Sequence, residues 1–211
     1  MEIIPVESGP FATNCYLVID EVHKEGIIID APPECTDTLV ALIEEREIKL
    51  LGIFLTHSHW DHIADASELR SRFNAPVYVH KDDEYRLIEP MRHTIIPIDF
   101  KFEFCKPDKY LIHKSIIKCG NLKFEVRHTP GHTEGGVCFV EHTKKVIFTG
   151  DTLFYGSVGR VDFPGGSMTQ LIDSIKREIL SLTDDFIAYC GHGESTTIGF
   201  ERVNNYFLNE Y

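Results

Sequence analysis

Residues 56–62 read Thr-His-Ser-His-Trp-Asp-His, which places three imidazoles and one carboxylate within the six positions from His57 to His62. Imidazole and carboxylate together suit Zn²⁺, Fe²⁺ or Mn²⁺, whereas Ca²⁺ and Mg²⁺ prefer shells made of oxygen. The heptapeptide follows Leu-Leu-Gly-Ile-Phe-Leu (50–55), an apolar run that reads as a buried strand. Side chains two apart at a strand end point the same way, so His57 and His59 can converge on one ion. Asp61 and His62 fall where the chain turns into a helix expected to start near Ile63. They point elsewhere and can serve a second ion nearby. Taken alone, the segment also fits a solvated, His-rich loop.

Further donors recur downstream, each beside a glycine at the end of an expected strand. His132 sits in Thr-Pro-Gly-His-Thr (129–133), Asp151 closes Lys-Val-Ile-Phe-Thr-Gly-Asp (145–151), and His192 lies in Cys-Gly-His-Gly (190–193). In this order, HxHxDH, a histidine after Pro-Gly, Gly-Asp and Gly-His-Gly resemble the metallo-β-lactamase superfamily of hydrolases. Asp30, which ends Gly-Ile-Ile-Ile-Asp (26–30), resembles that family's first motif, a carboxylate behind the ligands that steadies the metal loop. The resemblance spans almost the whole chain. It implies that His57, His59 and His132 hold one metal, that Asp61, His62 and His192 hold the other, and that Asp151 bridges the pair. Two divalent ions are therefore expected, zinc first, with iron and manganese also suited.

Such a pair lowers the pKa of a shared water toward 7 and polarises a substrate carbonyl. The chemistry this suits is hydrolysis of a thioester, ester or lactone by metal-bound hydroxide, with Asp61 as the catalytic carboxylate that orients it and the metal stabilising the oxyanion. Ser58 lies inside the metal loop, and no Gly-x-Ser-x-Gly elbow exists in the chain to support a serine hydrolase. The segment 149–166, Thr-Gly-Asp-Thr-Leu-Phe-Tyr-Gly-Ser-Val-Gly-Arg-Val-Asp-Phe-Pro-Gly-Gly, resembles the glyoxalase II branch and its short, single-domain bacterial members. The ending Gly-His-Gly-Glu-Ser-Thr-Thr-Ile-Gly-Phe-Glu-Arg-Val-Asn-Asn (191–205) agrees. The resemblance implies a small acyl thioester like hydroxyacyl-glutathione as substrate. Two features depart from it. The helical C-terminal domain of larger glyoxalase II enzymes has no counterpart here, and Glu194 and Asn205-Tyr206 stand where a Pro and an Asn-Pro-Phe are expected. The alternative within the same resemblance is a persulfide dioxygenase with a single iron on His57, His132 and Asp151.

Arg160 and Asp162 read first as an ion pair bracing the Gly-rich segment. Arg160 also has the planar fork that would hold a substrate carboxylate, and Tyr155 is a second candidate for the substrate side of the cleft. His80, His93 and His113 read as surface histidines, and His128 as facing away from the metals.

At 211 residues the chain suits one buried domain, taken here as 1–211, and its 43% hydrophobic and 26% charged makeup is that of an ordinary globule. The formal charge of −12 and the lack of a Lys/Arg cluster argue against nucleic acid as partner. No apolar window is long enough for a membrane span, and Met-Glu-Ile-Ile-Pro-Val does not begin like a signal peptide, so the cytoplasm is expected. Six cysteines without a CxxC pair read as free, buried thiols of a reducing compartment, Cys190 packing rather than reacting. The expected partner is a small-molecule substrate; oligomeric state is left open.

The elements that position these donors follow from apolar patterning. Strands are expected over 1–6, 15–19, 26–30, 50–55 and 76–79, with a helix over 35–47, its N-cap at Thr36 or Asp37, and another near 63–73. The stretch 80–113 is irregular and is assigned to the rim of the cleft. Antiparallel strands are expected within 114–128 and 137–150, then a helix over 168–180, a strand over 186–189 and a final helix from about 197. Two βα halves enclosing metals give an α/β (α+β) fold, a four-layer αβ/βα metallo-β-lactamase-type sandwich.

Overall fold

The structure, a computed structural model, describes residues 1–94 and 103–210. Its contacts divide the chain into two compact units, Met1–Leu111 with Lys118–Leu122, and Ile112–Ile117 with Lys123–Tyr211.

The first unit is built on a six-stranded mixed sheet in the order β1 (Glu2–Ser8), β2 (Thr13–Asp20), β3 (Glu25–Ile29), β4 (Lys49–Phe54), β5 (Val77–His80) and β6 (Lys109–Leu111). β1 to β3 pair antiparallel and β3 to β6 parallel. Every residue of β2 is buried, and so are Ile27, Ile28 and Ile29 of β3, the continuous apolar reading of strands covered on both faces. The helix α1 (Thr36–Glu45) turns Leu39 and Ile43 into the core beside Leu17, Ile28 and Ile53. Its start differs from the sequence expectation. Cys35 is the N-cap residue and makes no side-chain cap, and the first N–H of the helix goes instead to the Asp65 carboxylate at 3.0 Å, which also takes the Thr36 hydroxyl at 2.9 Å. A carboxylate from 29 residues on thus caps the helix, a long-range solution that local sequence does not show.

The metal loop becomes helical earlier than expected, in α2 (Trp60–Ile63) with His59 as its N-cap residue, followed by α3 (Ala66–Phe73). The irregular stretch holds a 3₁₀ turn over Lys81–Asp83, then α4 (Glu84–Ile88) and α5 (Pro90–His93) before β6. Residues 95–102 of it lie outside the described residues.

The other six-stranded mixed sheet is drawn mostly from the second unit. In spatial order, starting from one edge, it comprises β7 (Ile116–Cys119), β8 (Leu122–His128), β9 (Val137–Glu141), β10 (Val146–Gly150), a later strand (Ile187–Cys190) and a two-residue edge strand (Thr196–Thr197). A small hairpin of β11 (Leu153–Phe154) and β12 (Ser157–Val158) follows β10, so the later strands are β13 and β14. β10 pairs antiparallel with β9 and parallel with β13. Over 168–180 the chain forms α6 (Met168–Ser174) and then a π-helical stretch, Ile175–Ile179. Leu171, Ile172, Ile175 and Ile179 pack on Val140, Ile147 and Ala188 in this unit's core. α7 (Ile198–Asn204) and α8 (Tyr206–Glu210) complete it. Among the described residues, no helix is long and apolar enough to cross a membrane.

Candidate metal centre

In the first unit, β4 delivers Thr56 and His57 directly from the core, and the α2 turn brings His62 back beside them. The rings of His57 and His59 lie edge to face with centroids 4.9 Å apart, and those of His57 and His62 are 4.1 Å apart. His62 thus lies beside His57, on the short helix that begins at Trp60. His57, Asp61 and His62 are buried.

Hydrogen-bond chemistry fixes which nitrogen of each ring is available. The Asp30 carboxylate accepts the Thr56 N–H at 2.7 Å and the Thr56 hydroxyl at 2.8 Å. That hydroxyl has spent its proton, so at 3.1 Å it accepts from His57 Nδ1. Asp30 also accepts from His62 Nδ1 at 2.8 Å. Both rings thus carry a proton on Nδ1, which leaves Nε2 as the nitrogen that would take an ion. Asp30 itself adopts φ +60, a left-handed backbone that aspartate tolerates better than most residues, and its own N–H is tied to the Phe54 carbonyl at 3.1 Å. The Asp61 carboxylate lies 3.7 Å from His62 Nε2 and accepts the buried Thr13 hydroxyl at 3.2 Å.

In the second unit, Asp151 leaves the end of β10 after Gly150, which adopts φ +48. One Asp151 oxygen, Oδ2, lies 3.6 Å from His132 Nε2 and 3.4 Å from His192 Nε2. His132 Nδ1 donates to the Arg160 carbonyl at 2.7 Å, since a carbonyl only accepts, and Nε2 is again the nitrogen left for an ion. The close approach behind this arrangement depends on a missing side chain. A Cβ at Gly159 would stand 1.9 Å from the Asp151 carbonyl and 3.0 Å from His132 Nδ1. His192 has its ring edge to Phe154, with centroids 6.0 Å apart.

Each unit by itself therefore gathers imidazoles beside carboxylate oxygens, and His57, His62 and His132 are held with a proton on Nδ1. This is the donor set and tautomer that divalent transition metals bind. The sequence model of the metallo-beta-lactamase superfamily matches residues 8–192. The chain belongs to that superfamily. Among superfamily relatives, the Haemophilus influenzae protein named hydroxyacylglutathione hydrolase GloC is 39% identical over 99% of this chain and 98% of its own length. The solved structure of the BLEG-1 B3 metallo-beta-lactamase superposes with a TM-score of 0.89 at 35% identity, covering 98% of this chain and 99% of that one. TTHA1623, solved in a di-iron-bound form, gives 0.82 at 33% identity over 97% of this chain and all of its own. These likenesses show the metallo-beta-lactamase fold, with its two mixed sheets, along the whole chain.

The other sequence candidates stand as follows. Arg160 forms a two-pronged pair with Asp162, at 2.7 Å for each prong, and lies 3.8 Å over the Phe163 ring. Tyr155 is more than half exposed and stacks on Phe200 with centroids 4.7 Å apart. His128 Nε2 donates to the Glu134 carbonyl at 2.9 Å. Sequence reasoning missed Thr13, Thr56 and Asp83, buried residues that bond within the 56–62 segment, and the buried Glu201. The Glu201 carboxylate takes the Gly156 N–H at 3.0 Å, the Thr196 hydroxyl at 2.6 Å and the Asn205 amide at 2.7 Å, anchoring the β11–β12 hairpin. None of these has a local signature. Each is an ordinary polar residue until the fold brings a partner to it.

Proposed function

We propose that this superfamily member is a metal-dependent hydrolase of small acyl thioesters resembling hydroxyacyl-glutathione. In this reading His57, His59 and His132 hold one divalent ion, Asp61, His62 and His192 hold a second, and Asp151 serves both. The observation that carries the metal reading is the tautomer set: three histidines whose Nδ1 protons are taken by Asp30, Thr56 and the Arg160 carbonyl. The thioester reading is supported by the relative named hydroxyacylglutathione hydrolase. Bound ions of this kind supply a nucleophile from water near neutral pH and polarise the acyl carbonyl. The chain's own residues hold the geometry. Asp30 keeps protons on His57 and His62 at Nδ1, directly or through Thr56, and the Arg160 carbonyl does so for His132. Thr13 fixes the Asp61 carboxylate, which orients the attacking water. Tyr155 lines the substrate side. Arg160 braces its segment through Asp162 and reaches a substrate carboxylate only when that pair opens. Zinc is the first candidate, and a relative bound to two irons supports iron as an alternative. Six free, buried cysteines favour a reducing compartment, the cytoplasm.

The test is metal analysis beside a panel of thioesters, lactones and persulfides. Saturated protein should hold about two ions per chain, as a two-metal site requires. Thioesterase activity should vanish with a strong chelator and return with Zn²⁺, Mn²⁺ or Fe²⁺. Asp151→Ala should cost both ions and His62→Ala chiefly one, each lowering activity by on the order of 10²-fold or more. Thioesterase activity in a metal-free preparation would refute the mechanism. A single iron with oxygen uptake on a persulfide would replace it with persulfide oxidation.

A further inference from the structure

Thr56 and Ser58 flank His57, and each is gripped in the same way by a different buried carboxylate. Asp30 takes the N–H and the hydroxyl of Thr56 at 2.7 and 2.8 Å. Asp83, from the 3₁₀ turn before α4, takes the N–H of Ser58 at 2.9 Å on Oδ2, and the Ser58 hydroxyl lies 3.1 Å from the same oxygen and 2.8 Å from the Asp83 main-chain carbonyl. The other Asp83 oxygen accepts from Arg86 at 3.2 Å. Asp83 is fully buried and Arg86 is 4% exposed, so this charge pair is held out of water. A buried carboxylate is costly unless it is paired and hydrogen-bonded, and this one has both kinds of partner. These donors come from Ser58 of the metal loop and from Arg86 of α4.

We infer that Asp83, neutralised by Arg86, is a positioning residue that sets the His57-Ser58-His59 backbone, and so selects the ion proposed for His57, His59 and His132. Asp30 reaches ligands of both proposed ions, His62 directly and His57 through Thr56, whereas Asp83 grips Ser58, which lies between the two histidines proposed for the first ion. Damage to Asp83 should be felt by one ion and leave the other, held by His62 on the Asp30 side, close to its original affinity.

The inference rests on the proposed two-metal reading, and its test measures metal uptake rather than turnover. Asp83→Asn keeps the shape but offers one oxygen where two are needed, turning an amide N–H toward either Ser58 or Arg86. Binding of Zn²⁺ and Co²⁺ to the full chain, measured by chelator competition and by the Co²⁺ absorption spectrum, should show one ion weakened about 10–100-fold and the other changed by less than about threefold. Ser58→Ala removes only the hydroxyl and should weaken the same ion by a smaller factor. If both act through one contact, the double variant loses less than the product of the single losses. A variant that binds both ions as tightly as the original, or loses both equally in step with a lowered melting temperature, overturns the assignment. Failure of the unmodified chain to take up any ion overturns the proposed function instead, and this inference with it. Should Asp83→Asn not fold, Ser58→Ala with unchanged affinity for both ions is enough to overturn it.

Discussion

At the scale of single residues, the candidate donors stand out in the sequence because ligand chemistry is confined to a few side chains and their spacing is local. Three histidines and an aspartate within six positions carry meaning without a fold. The residues behind them were not legible. Asp83 lies 25 positions from Ser58, and Thr13 lies 48 from Asp61, so no window of sequence contains both partners. Gly159 is an intermediate case: a glycine in a Gly-rich stretch attracts no notice until the Asp151 carbonyl is found against it. A Cβ there would stand 1.9 Å from that oxygen, closer than any contact allows, and backbone must move to admit it. Gly159→Ala should therefore displace Asp151 and His132 together. The expected result is metal affinity at least about tenfold weaker and stability lower by about 1–3 kcal/mol, read by chelator competition and by denaturant melts. Wild-type affinity in this variant would mean that the hairpin yields without disturbing the ligands.

At the scale of elements, apolar runs placed the strands well, since β2, β3, β9 and β10 are buried at nearly every position. Helix ends were harder, because the cap of α1 is the distant Asp65 and α2 begins inside the metal loop. The turn at Cys119-Gly120-Asn121, between β7 and β8, is fastened from far along the chain. The Asp20 carboxylate at the end of β2 accepts the Asn121 N–H, about a hundred residues along the chain, together with the Val22 N–H and His23 Nδ1. Those bonds, the one from Asn121 foremost, outweigh burial and hold its pKa at about 2, below the ordinary 3.8. A carboxyl whose pKa is lower when folded than when unfolded stabilises the fold fully above its unfolded value, and that contribution is lost as pH falls through the folded one. Stability from Asp20 should thus be present at neutral pH and disappear between about pH 4 and pH 2. Asp20→Asn should be less stable than the original at pH 7 and should show a flatter acid profile across that window, measured by urea melts at each pH. Equal slopes for the two proteins would remove Asp20 from the account.

At the scale of the whole molecule, superfamily membership was legible from the order of five motifs, and the solved relatives bear it out along nearly the full length. The division of the chain into two compact units was legible as two βα halves, but where the units meet was not, since no linker or composition shift marks it. That division gives the cysteines a use unrelated to catalysis. All six are buried and free, with Cys15, Cys35, Cys105 and Cys119 in the first unit and Cys138 and Cys190 in the second. Burial raises Cys105, Cys119 and Cys138 to about 11 and Cys190 to about 12, so at neutral pH almost no thiolate is offered to a reagent. An aromatic disulfide reagent should find six thiols in denaturant and almost none in the native protein over minutes. Whatever labelling does occur must wait for an opening, so the set works as a clock with two dials. Reading by mass spectrometry which dial advances first would tell which half of the chain breathes more freely, and by how much in free energy.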